Sequence, residues 1–488
     1  MGLRKSLNLS FSFLLTLALI LPPATTQASV SRSHYEKAML MQSEEHHRDA
    51  IGEFSLAIKE NPRDALAYLG RGVSLICLDQ YGPAARDLAS SISLDPHLWR
   101  SHCWLGFCYL VGGETEKGIS ELNIAVSGWS PDISLVERSD ILSNRAKAYK
   151  KLGNRQQAEQ DMALSRKYAV LKAAKESREN GDIGTALKLC NRACAELPEL
   201  ADAFFLRGCV YLNQDNLKDA LADFNRAIKL SPSYPGFYYF RADCLTEMGR
   251  IDEAIADYSR VLALKPRLVA MEFTFETGRR RGNSDMTDSC PVNLTDIYIL
   301  RGHLYNLQKK YAQAITDFSQ ALKRDSLEVE AFIERARGEA ALQRFNEAEA
   351  DLSRALKLNG SKWEIFLARA KMNEARGSYA RAEADYNLLV AEGAKHGDST
   401  SSGALVMRGQ FYEKNGKLDR ALEDYDFCLK KDAGNEEALK SRADIYMKQN
   451  RAALALRDYR KLLQIAGSDR ALAELARSGI ARASAAAK

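Results

Sequence analysis

Clusters of histidine and acidic side chains are the groups of this sequence that could bind a metal or catalyse a reaction. His46 and His47 follow Glu44 and Glu45, and together they could bind a metal weakly. Consecutive residues of a helix point in different directions, so a solvated helix end is the favoured interpretation. The seven histidines are otherwise scattered, and no Gly-rich phosphate loop, His-Glu-x-x-His motif or Gly-x-Ser-x-Gly elbow occurs. We therefore expect a protein that is not an enzyme, with no metal and no cofactor.

Cysteine is the other residue type that could be reactive or bind a metal, and the sequence has nine cysteines. The number is odd, so at least one thiol is unpaired or pairs with another chain. Cys103 and Cys108 are five residues apart and Cys190 and Cys194 are four apart, which is not zinc-ligand spacing. The favoured interpretation for most of the nine is a small buried apolar residue.

The elements that carry these residues come from an internal repeat of 34 residues. In the unit that starts at Ala201, the repeated positions are Phe204, Gly208, Tyr211, Ala220, Phe224, Ala227 and Pro232. The same offsets occur in twelve units, which begin at Ser31, Ala65, Trp99, Ser139, Lys167, Ala201, Pro235, Thr295, Val329, Trp363, Ser402 and Glu436. Apolar residues recur at steps of three and four within each unit, which predicts two helices per unit. A helix pair cannot bury both faces alone, so neighbouring units must stack.

This pattern resembles the tetratricopeptide repeat family over about nine-tenths of the chain. The resemblance implies an all-α fold: a right-handed superhelical solenoid of about twelve helix-turn-helix repeats. It also implies that the first helix of each repeat lines a concave groove, and that the partners are other proteins or peptides.

The spacing of the units sets the expected domain boundaries. No Gly or Pro occurs in residues 154–180, so we expect the second helix of the fourth repeat to run nearly into the next helix. The insert begins with alternating residues, 269–275, that are typical of a short strand. The expected segments are a signal peptide (1–28), four repeats (31–166), three repeats (167–266), an insert loop (267–294), five repeats (295–469) and a capping helix (470–488).

The N-terminus has the pattern of a secretory signal peptide. Arg4 and Lys5 precede an apolar stretch of 11 residues, 11–21, which is short for a membrane span. We expect cleavage before Ser29 and a periplasmic or secreted protein, and an uncleaved anchor is the alternative. No later segment approaches 18 unbroken apolar residues, so no transmembrane span is expected after cleavage. The net charge of +5 would fall to +3 without Arg4 and Lys5, which argues against nucleic acid as a partner.

Charged residues recur inside the repeat at positions 7 and 23. Nine repeats have Arg at the first position and Asp at the second: Arg71 and Asp87, Arg145 and Asp161, Arg207 and Asp223, Arg241 and Asp257, Arg301 and Asp317, Arg335 and Asp351, Arg369 and Asp385, Arg408 and Asp424, and Arg442 and Asp458. The first repeat has Lys37 and Glu53, whereas the third has Leu105 and Glu121. We predict a structural ion pair between the two helices of one repeat. The alternative is two separately solvated charges.

The groove positions that the resemblance implies differ in character along the chain. The second and third repeats would supply an apolar trough of Leu66, Leu69, Val73, Ile76, Cys77, Cys103, Phe107, Leu110 and Val111. The next two would supply a basic stretch of Lys147, Lys150, Lys151, Lys175 and Arg178, and the two after that Phe205, Tyr239, Asp243 and Glu247. Such a groove would suit an amphipathic helix or an extended peptide with acidic residues. Alternatively, the N-terminal region covers the trough, and the lysines are merely solvated.

The resemblance leaves the specific role open. Asn144 matches one position of the family's carboxylate clamp, but the neighbouring repeats do not complete it. We expect an exported, non-enzymatic scaffold for protein–protein interactions. A periplasmic or secreted chaperone for extended peptides and a regulatory subunit of an enzyme complex are the alternatives.

Overall fold

A computed structural model describes residues 28–128, 135–264, 294–358, 361–395, 398–467 and 469–486. These residues form 24 helices and no strand. They divide into two compact units, one that ends at Ile297 and one that begins at Tyr298. The all-α prediction is confirmed. Residues 1–27 of the expected signal peptide and nearly all of the expected insert, with its strand, lie outside the described residues.

The first unit contains thirteen complete helices among its described residues. They are α1 (Ala28–Ser43), α2 (His47–Glu60), α3 (Ala65–Cys77), α4 (Tyr81–Leu94), α5 (Trp99–Val111), α6 (Thr115–Ser127), α7 (Leu135–Lys151), α8 (Arg155–Glu179), α9 (Ile183–Glu196), α10 (Ala201–Asn213), α11 (Leu217–Leu230), α12 (Pro235–Glu247) and α13 (Ile251–Ala263).

The second unit includes the greater part of α14 (Leu294–Leu307) and ten further helices. These are α15 (Tyr311–Arg324), α16 (Val329–Ala341), α17 (Phe345–Lys357), α18 (Lys362–Ala375), α19 (Tyr379–Gly393), α20 (Asp398–Lys414), α21 (Leu418–Lys431), α22 (Glu436–Lys448), α23 (Ala452–Ile465) and α24 (Arg470–Ala486). The last of them is the expected capping helix.

Each 34-residue unit folds as a helix pair with a tight turn between its helices. The turns need a residue in the left-handed conformation, which Gly249 supplies at φ 73° and Asp79 at φ 59°. Glycine also permits the close contact of the two helices. A Cβ on Gly208 would lie 2.7 Å from the Phe224 ring, and Phe224 is fully buried. The repeated small and aromatic residues therefore form the core between the helices.

One helix replaces two at the irregular spacing after the fourth repeat. The helix α8 runs for 25 residues without a break and serves both as the second helix of the fourth repeat and as the first helix of the fifth. The expectation that these helices nearly merge is confirmed, and the merger is complete. Twelve pairs and a cap would give 25 helices, so this merger accounts for the 24 that are described.

All nine Arg–Asp pairs of the sequence lie within contact distance in the structure. In each pair, the arginine on the first helix donates from Nε and Nη2 to the aspartate on the second at 2.6–2.9 Å. Every one of the nine aspartates is buried, and the arginines are partly exposed. Arg369 uses only one oxygen of Asp385, because Asn373 donates to the other. The pairs therefore join the helices of a repeat.

The arginines also join successive repeats, which the sequence analysis did not predict. In seven of the pairs, Nη1 donates to a polar side chain on the second helix of the preceding repeat: Ser55, Asn123, Asn191, Asn225, Ser319, Asn387 or Asp426. Several guanidinium groups lie over an aromatic ring as well, such as Arg241 at 5.6 Å from the Tyr238 ring centre. One side chain thus contacts three helices.

Candidate functional site

The apolar trough expected in the second and third repeats is not an exposed surface. Leu69, Val73, Ile76, Cys103 and Phe107 are buried, and none of them exceeds 5% exposure. Leu66, Cys77, Leu110 and Val111 are half-buried. The prediction of an open apolar trough is therefore wrong for the five buried residues.

The physical reason is that consecutive first helices share one core. The buried trough residues belong to a single apolar cluster that also contains Tyr35 and Ala38 of α1 and Trp104 of α5. Phe107 packs edge to face against Trp104 and against Tyr81, with ring centres 6.1 and 6.2 Å apart. The first repeat's own helix α1 belongs to this cluster, so no additional covering segment is needed to explain the burial.

A small pocket remains between α5, α6 and α7. The pocket is partly open, and the space of about 10 Å³ within it has room for one water-sized group. Its walls are mostly apolar, and two polar side chains of α7, Asp140 and Asn144, reach it. The lining residues are Cys103, Trp104, Phe107, Leu110, Leu122, Asp140, Ile141 and Asn144.

Asn144 gives the pocket its hydrogen-bonding character. The side chain is only 6% exposed, and its Oδ1 accepts no hydrogen bond from any described residue. A buried amide oxygen without a donor is costly, since it has lost its contacts with water. The pocket is therefore suited to a small group that donates a hydrogen bond.

A basic stripe continues from the pocket along α7. Asp140, Asn144, Lys147 and Lys151 are spaced by three or four residues, which places them on one face of the helix. Lys150 and Lys151 are exposed, and neither has an ion-pair partner among the described residues. Lys147 is half-buried. Burial lowers the pKa of Lys147, although nearby Asp140 opposes this shift. We call the pocket and the three lysines together the α7 surface.

The remaining groove residues are distributed between surface and core. On α8, Lys175 is half-buried and lies 3.8 Å from Glu179, and Arg178 is buried, so its assignment to the groove surface is wrong. The helix α8 packs against α9, and the charge of Arg178 acts on the buried thiols of Cys190 and Cys209. Lys150 and Lys151 therefore carry most of the accessible positive charge of the predicted basic stretch.

The aromatic groove positions of the sixth and seventh repeats also differ from expectation. Phe205 is fully buried, with its ring centre 5.0 Å from Phe240 and 5.1 Å from Phe237. Phe205 therefore packs in the core, although the sequence analysis predicted that it lines the groove and binds a partner. Tyr239 is half-buried, and Glu247 is exposed. Asp243 and Glu247 make contacts within the chain, and Tyr258 donates to Asp243 at 2.9 Å.

Sequence reasoning missed a buried ion pair next to this region. Arg138 at the start of α7 donates to Asp202 on α10 at 2.8 Å, and its guanidinium lies 5.7 Å from the Tyr168 ring centre on α8. Both charged side chains are buried. The pair links the fourth repeat directly to the sixth. The partners are 64 positions apart, which is neither the 16-residue spacing within a repeat nor a multiple of the 34-residue period, so the repeat pattern gave no signal for this pair.

The cysteines behave as buried apolar residues in the described part of the chain. Seven of the eight described cysteines are buried, no disulfide joins them, and Cys77 is half-buried. Burial raises the pKa of Cys108 and Cys190 to about 12 and that of Cys194 to about 11. Since the thiolate is the reactive form, these thiols are inert near neutral pH.

We expect the buried thiols of the native chain to resist alkylation. With iodoacetamide near neutral pH, Cys77 should be modified first, and Cys190 and Cys194 should react on the order of a hundredfold more slowly than in the urea-unfolded chain. Peptide mass spectrometry gives the rate at each position. Equal rates for Cys190 in the folded and unfolded chains would contradict its placement in the core.

The described residues offer no other obvious chemistry. Among them, no group of three or more His, Cys, Asp or Glu side chains could hold a metal ion. His46 lies 3.5 Å from Glu44 in an exposed pair at the start of α2. Within the same residues, no helix has both the length and the apolar character needed to cross a membrane.

Family models match several parts of the chain. A model described as tetratricopeptide repeat matches residues 333–396 and 406–471, and a second with the same description matches 295–326. A model described as anaphase-promoting complex, cyclosome, subunit 3 matches residues 179–261. The tetratricopeptide repeat models therefore match the part of the chain after residue 294, and the subunit 3 model matches a part before it.

Individual relatives are more distant. The small glutamine-rich tetratricopeptide repeat-containing protein 2 of Saccharomyces cerevisiae is 34% identical over 70 residues, which are 14% of this chain and 20% of that protein. A tetratricopeptide repeat protein of Parabacteroides merdae is 18% identical, with 57% of this chain and 98% of that one covered and a TM-score of 0.42. Yeast Tom70 is 16% identical, with 94% and 96% covered and a TM-score of 0.42. Similarity at this level says nothing of partners.

Proposed function

Because this chain is built of tetratricopeptide repeats, we propose that it is a non-enzymatic scaffold that binds a segment of another protein. The observation that carries the proposal is the buried, unpartnered Oδ1 of Asn144 at the start of a basic stripe. A partner segment can satisfy both features at once. It would place a small hydrogen-bond donor in the pocket and acidic side chains beside the lysines.

The chemistry of the α7 surface restricts the partner segment. The pocket admits one water-sized group, so a hydroxyl fits it and an aromatic ring does not. The positive charge of Lys150 and Lys151 disfavours a cationic segment and attracts an acidic one. Leu110 is half-buried beside the pocket and offers apolar contact to the same segment. We therefore propose an acidic segment that carries a serine or threonine.

A peptide selection tests this function. Selection of phage-displayed random peptides on the full chain should enrich acidic sequences with a hydroxyl residue. The double change Lys150→Glu and Lys151→Glu should weaken binding of an enriched peptide by roughly tenfold or more, about 1.4 kcal/mol. Binding should also weaken with added salt, because these charges are exposed.

The matched control is the double change Lys218→Glu and Lys229→Glu, which reverses the same number of charges at exposed positions on α11. It should leave the affinity unchanged. Enrichment of peptides without acidic residues, or an affinity that the double change does not alter, would contradict the proposal. A single consensus would favour a scaffold or a regulatory subunit, whereas unrelated extended sequences would favour a chaperone.

We also propose that the protein is exported, on the basis of the sequence pattern of residues 1–28. Mass spectrometry of the N-terminus of the native protein checks this. We expect a chain that begins at Ser29 and is recovered outside the cytoplasm. Recovery in the cytoplasm with Met1 in place would contradict the proposal.

A further inference from the structure

The third repeat joins its two helices through a histidine where nine others use an arginine. Leu105 occupies the arginine position of this repeat. In its place, His102 of α5 brings Nδ1 to 2.6 Å from Oε2 of Glu121 on α6, and its Nε2 lies 3.1 Å from the carbonyl oxygen of Pro96. The histidine is only 6% exposed. This contact replaces the Arg–Asp pair of the other repeats.

Both atoms that face the ring are hydrogen-bond acceptors. A neutral imidazole carries one N–H, so it can donate to Pro96 or to Glu121 but not to both. A ring that donated only to Pro96 would place two acceptors 2.6 Å apart at Glu121. A ring that donated only to Glu121 would leave Nε2 facing the Pro96 carbonyl oxygen without a proton. The two contacts together therefore require one proton more than a neutral ring and a carboxylate supply. We infer that the joint between α5 and α6 is held by a proton on the His102–Glu121 pair and is a pH-dependent element of the fold.

Few other charges can substitute for this proton. The ring has no further hydrogen bond or ion pair among the described residues, and neither does Glu121. The helices packed against α5 offer Arg71 on α3 and Arg86 and Asp87 on α4, along with acidic and basic residues of α6. Arg71 and Asp87 bind each other, and Arg86 is exposed.

Of the remaining charged neighbours, Arg100 on α5 lies 3.9 Å from Glu137 on α7, and the others lie at the ends of α5 and α6. On α6, Glu116 is exposed, and Lys117 binds Glu114 just before that helix. Before α5, Asp95 caps the chain turn by accepting from the backbone N–H of His97. None of these groups pairs with the His102–Glu121 joint within the described residues.

The first repeat shows what a permanent charge adds. There His34 Nδ1 lies 2.5 Å from Glu53 Oε2, the same arrangement as in the third repeat, but Lys37 also binds Glu53. Lysine keeps its charge across the neutral range, so Glu53 retains a cationic partner when the histidine loses its proton. The third repeat has Leu105 at the position of Lys37 and lacks that support.

The direction of the pH dependence follows from the form that joins the two helices, which is the form that carries the additional proton. Imidazole changes its charge between about pH 5 and pH 8. The folded joint needs the protonated form, so its stabilisation is present on the acid side and is lost as the pH rises through this interval. Loss of the proton leaves one ring nitrogen of the buried His102 facing an acceptor with no hydrogen between them, and the α5–α6 contact should open more often.

Hydrogen exchange of the full chain tests this inference without any ligand. Peptides that cover residues 99–127 are followed by mass spectrometry at about pH 5.5 and about pH 8, with correction for the intrinsic exchange rates. We expect opening of α5 and α6 to be roughly five- to tenfold more frequent at the higher pH. Glu121→Gln should remove this difference, because the glutamine amide N–H can donate to Nδ1 of a neutral ring whose Nε2–H donates to the Pro96 carbonyl oxygen.

The matched control is Glu53→Gln in the first repeat, which should keep the pH difference in α5 and α6. Equal opening at both pH values in the unmodified chain would overturn the inference, and so would a difference that survives Glu121→Gln. If Glu121→Gln fails to fold, His102→Gln serves as the second variant and should likewise show no difference.

The joint is connected to the α7 surface through α5. The same helix supplies Phe107 and Leu110 to the pocket, so opening of α5 at higher pH should weaken the pocket. This regulation rests on the proposed function. The exchange experiment does not, so a failure of peptide binding and a failure of the proton joint are separate results.

Discussion

Replacement of Arg241 by alanine is expected to lower the free energy of unfolding by about 3 kcal/mol, at the lower end for a buried pair because the arginine is partly exposed. The guanidinium donates to both oxygens of Asp257 at 2.7 Å and to Asn225 at 2.7 Å. Its bonds to Asp257 raise the pKa of Arg241, which shows that the pair favours the charged arginine. Without it, the buried Asp257 carboxylate has no cation. Urea unfolding followed by circular dichroism measures the loss.

A double-mutant cycle separates this pair from simple loss of packing. Asp257→Ala and the double variant complete the cycle, and the two single losses should sum to more than the loss of the double variant. Arg250→Ala in the same repeat is the matched control, since Arg250 pairs with Glu253 at the exposed surface and should shift the unfolding midpoint little. Additive losses at Arg241 and Asp257 would show that the two charges act independently.

Replacement of Phe107 by glutamate is expected to unfold the third repeat. Phe107 is 5% exposed and packs against Trp104 and Tyr81, so the variant would place a carboxylate in this core without a partner. Loss of the aromatic ring together with a buried charge should cost more than about 4 kcal/mol. Loss of protection in α5, measured by hydrogen exchange, checks the result.

The matched control for Phe107→Glu is Lys150→Glu, which introduces the same side chain at an exposed position of α7. It should fold with native protection in α5. A Phe107→Glu variant that kept native stability would mean that the ring faces solvent, as the sequence analysis expected, and would contradict the packing in this region.

The repeat pattern was enough to predict the fold, because each element recurs with its own partner at a fixed distance. Gly208 and Phe224 lie 16 residues apart and are in close contact, as are Gly302 and Phe318. The arginines and aspartates of nine repeats have the same spacing. The merged helix α8 was foreseen from the lack of Gly and Pro. A contact outside this spacing, such as Arg138 with Asp202, has no periodic signal.

The candidate site was less predictable, since the same helix face can line a groove or pack on a neighbouring helix. Leu69 and Val73 were assigned to the groove from their positions in the repeat, but they belong to the core that α1, α3 and α5 share. The sequence analysis named Asn144 as a clamp position and Phe107 and Leu110 as groove positions, but it did not predict that they line one pocket. Whether an amide oxygen has a donor depends on atomic distances that the sequence does not contain.

The position at which an enriched acidic peptide binds on the chain tests the proposed function most directly. Hydrogen exchange of the full chain with and without that peptide maps its contacts. Slower exchange in α5 and α7, with no change in α11 and α13, is the result the account predicts. Protection confined to α11 and α13, or no protection in α7 at saturating peptide, would contradict it.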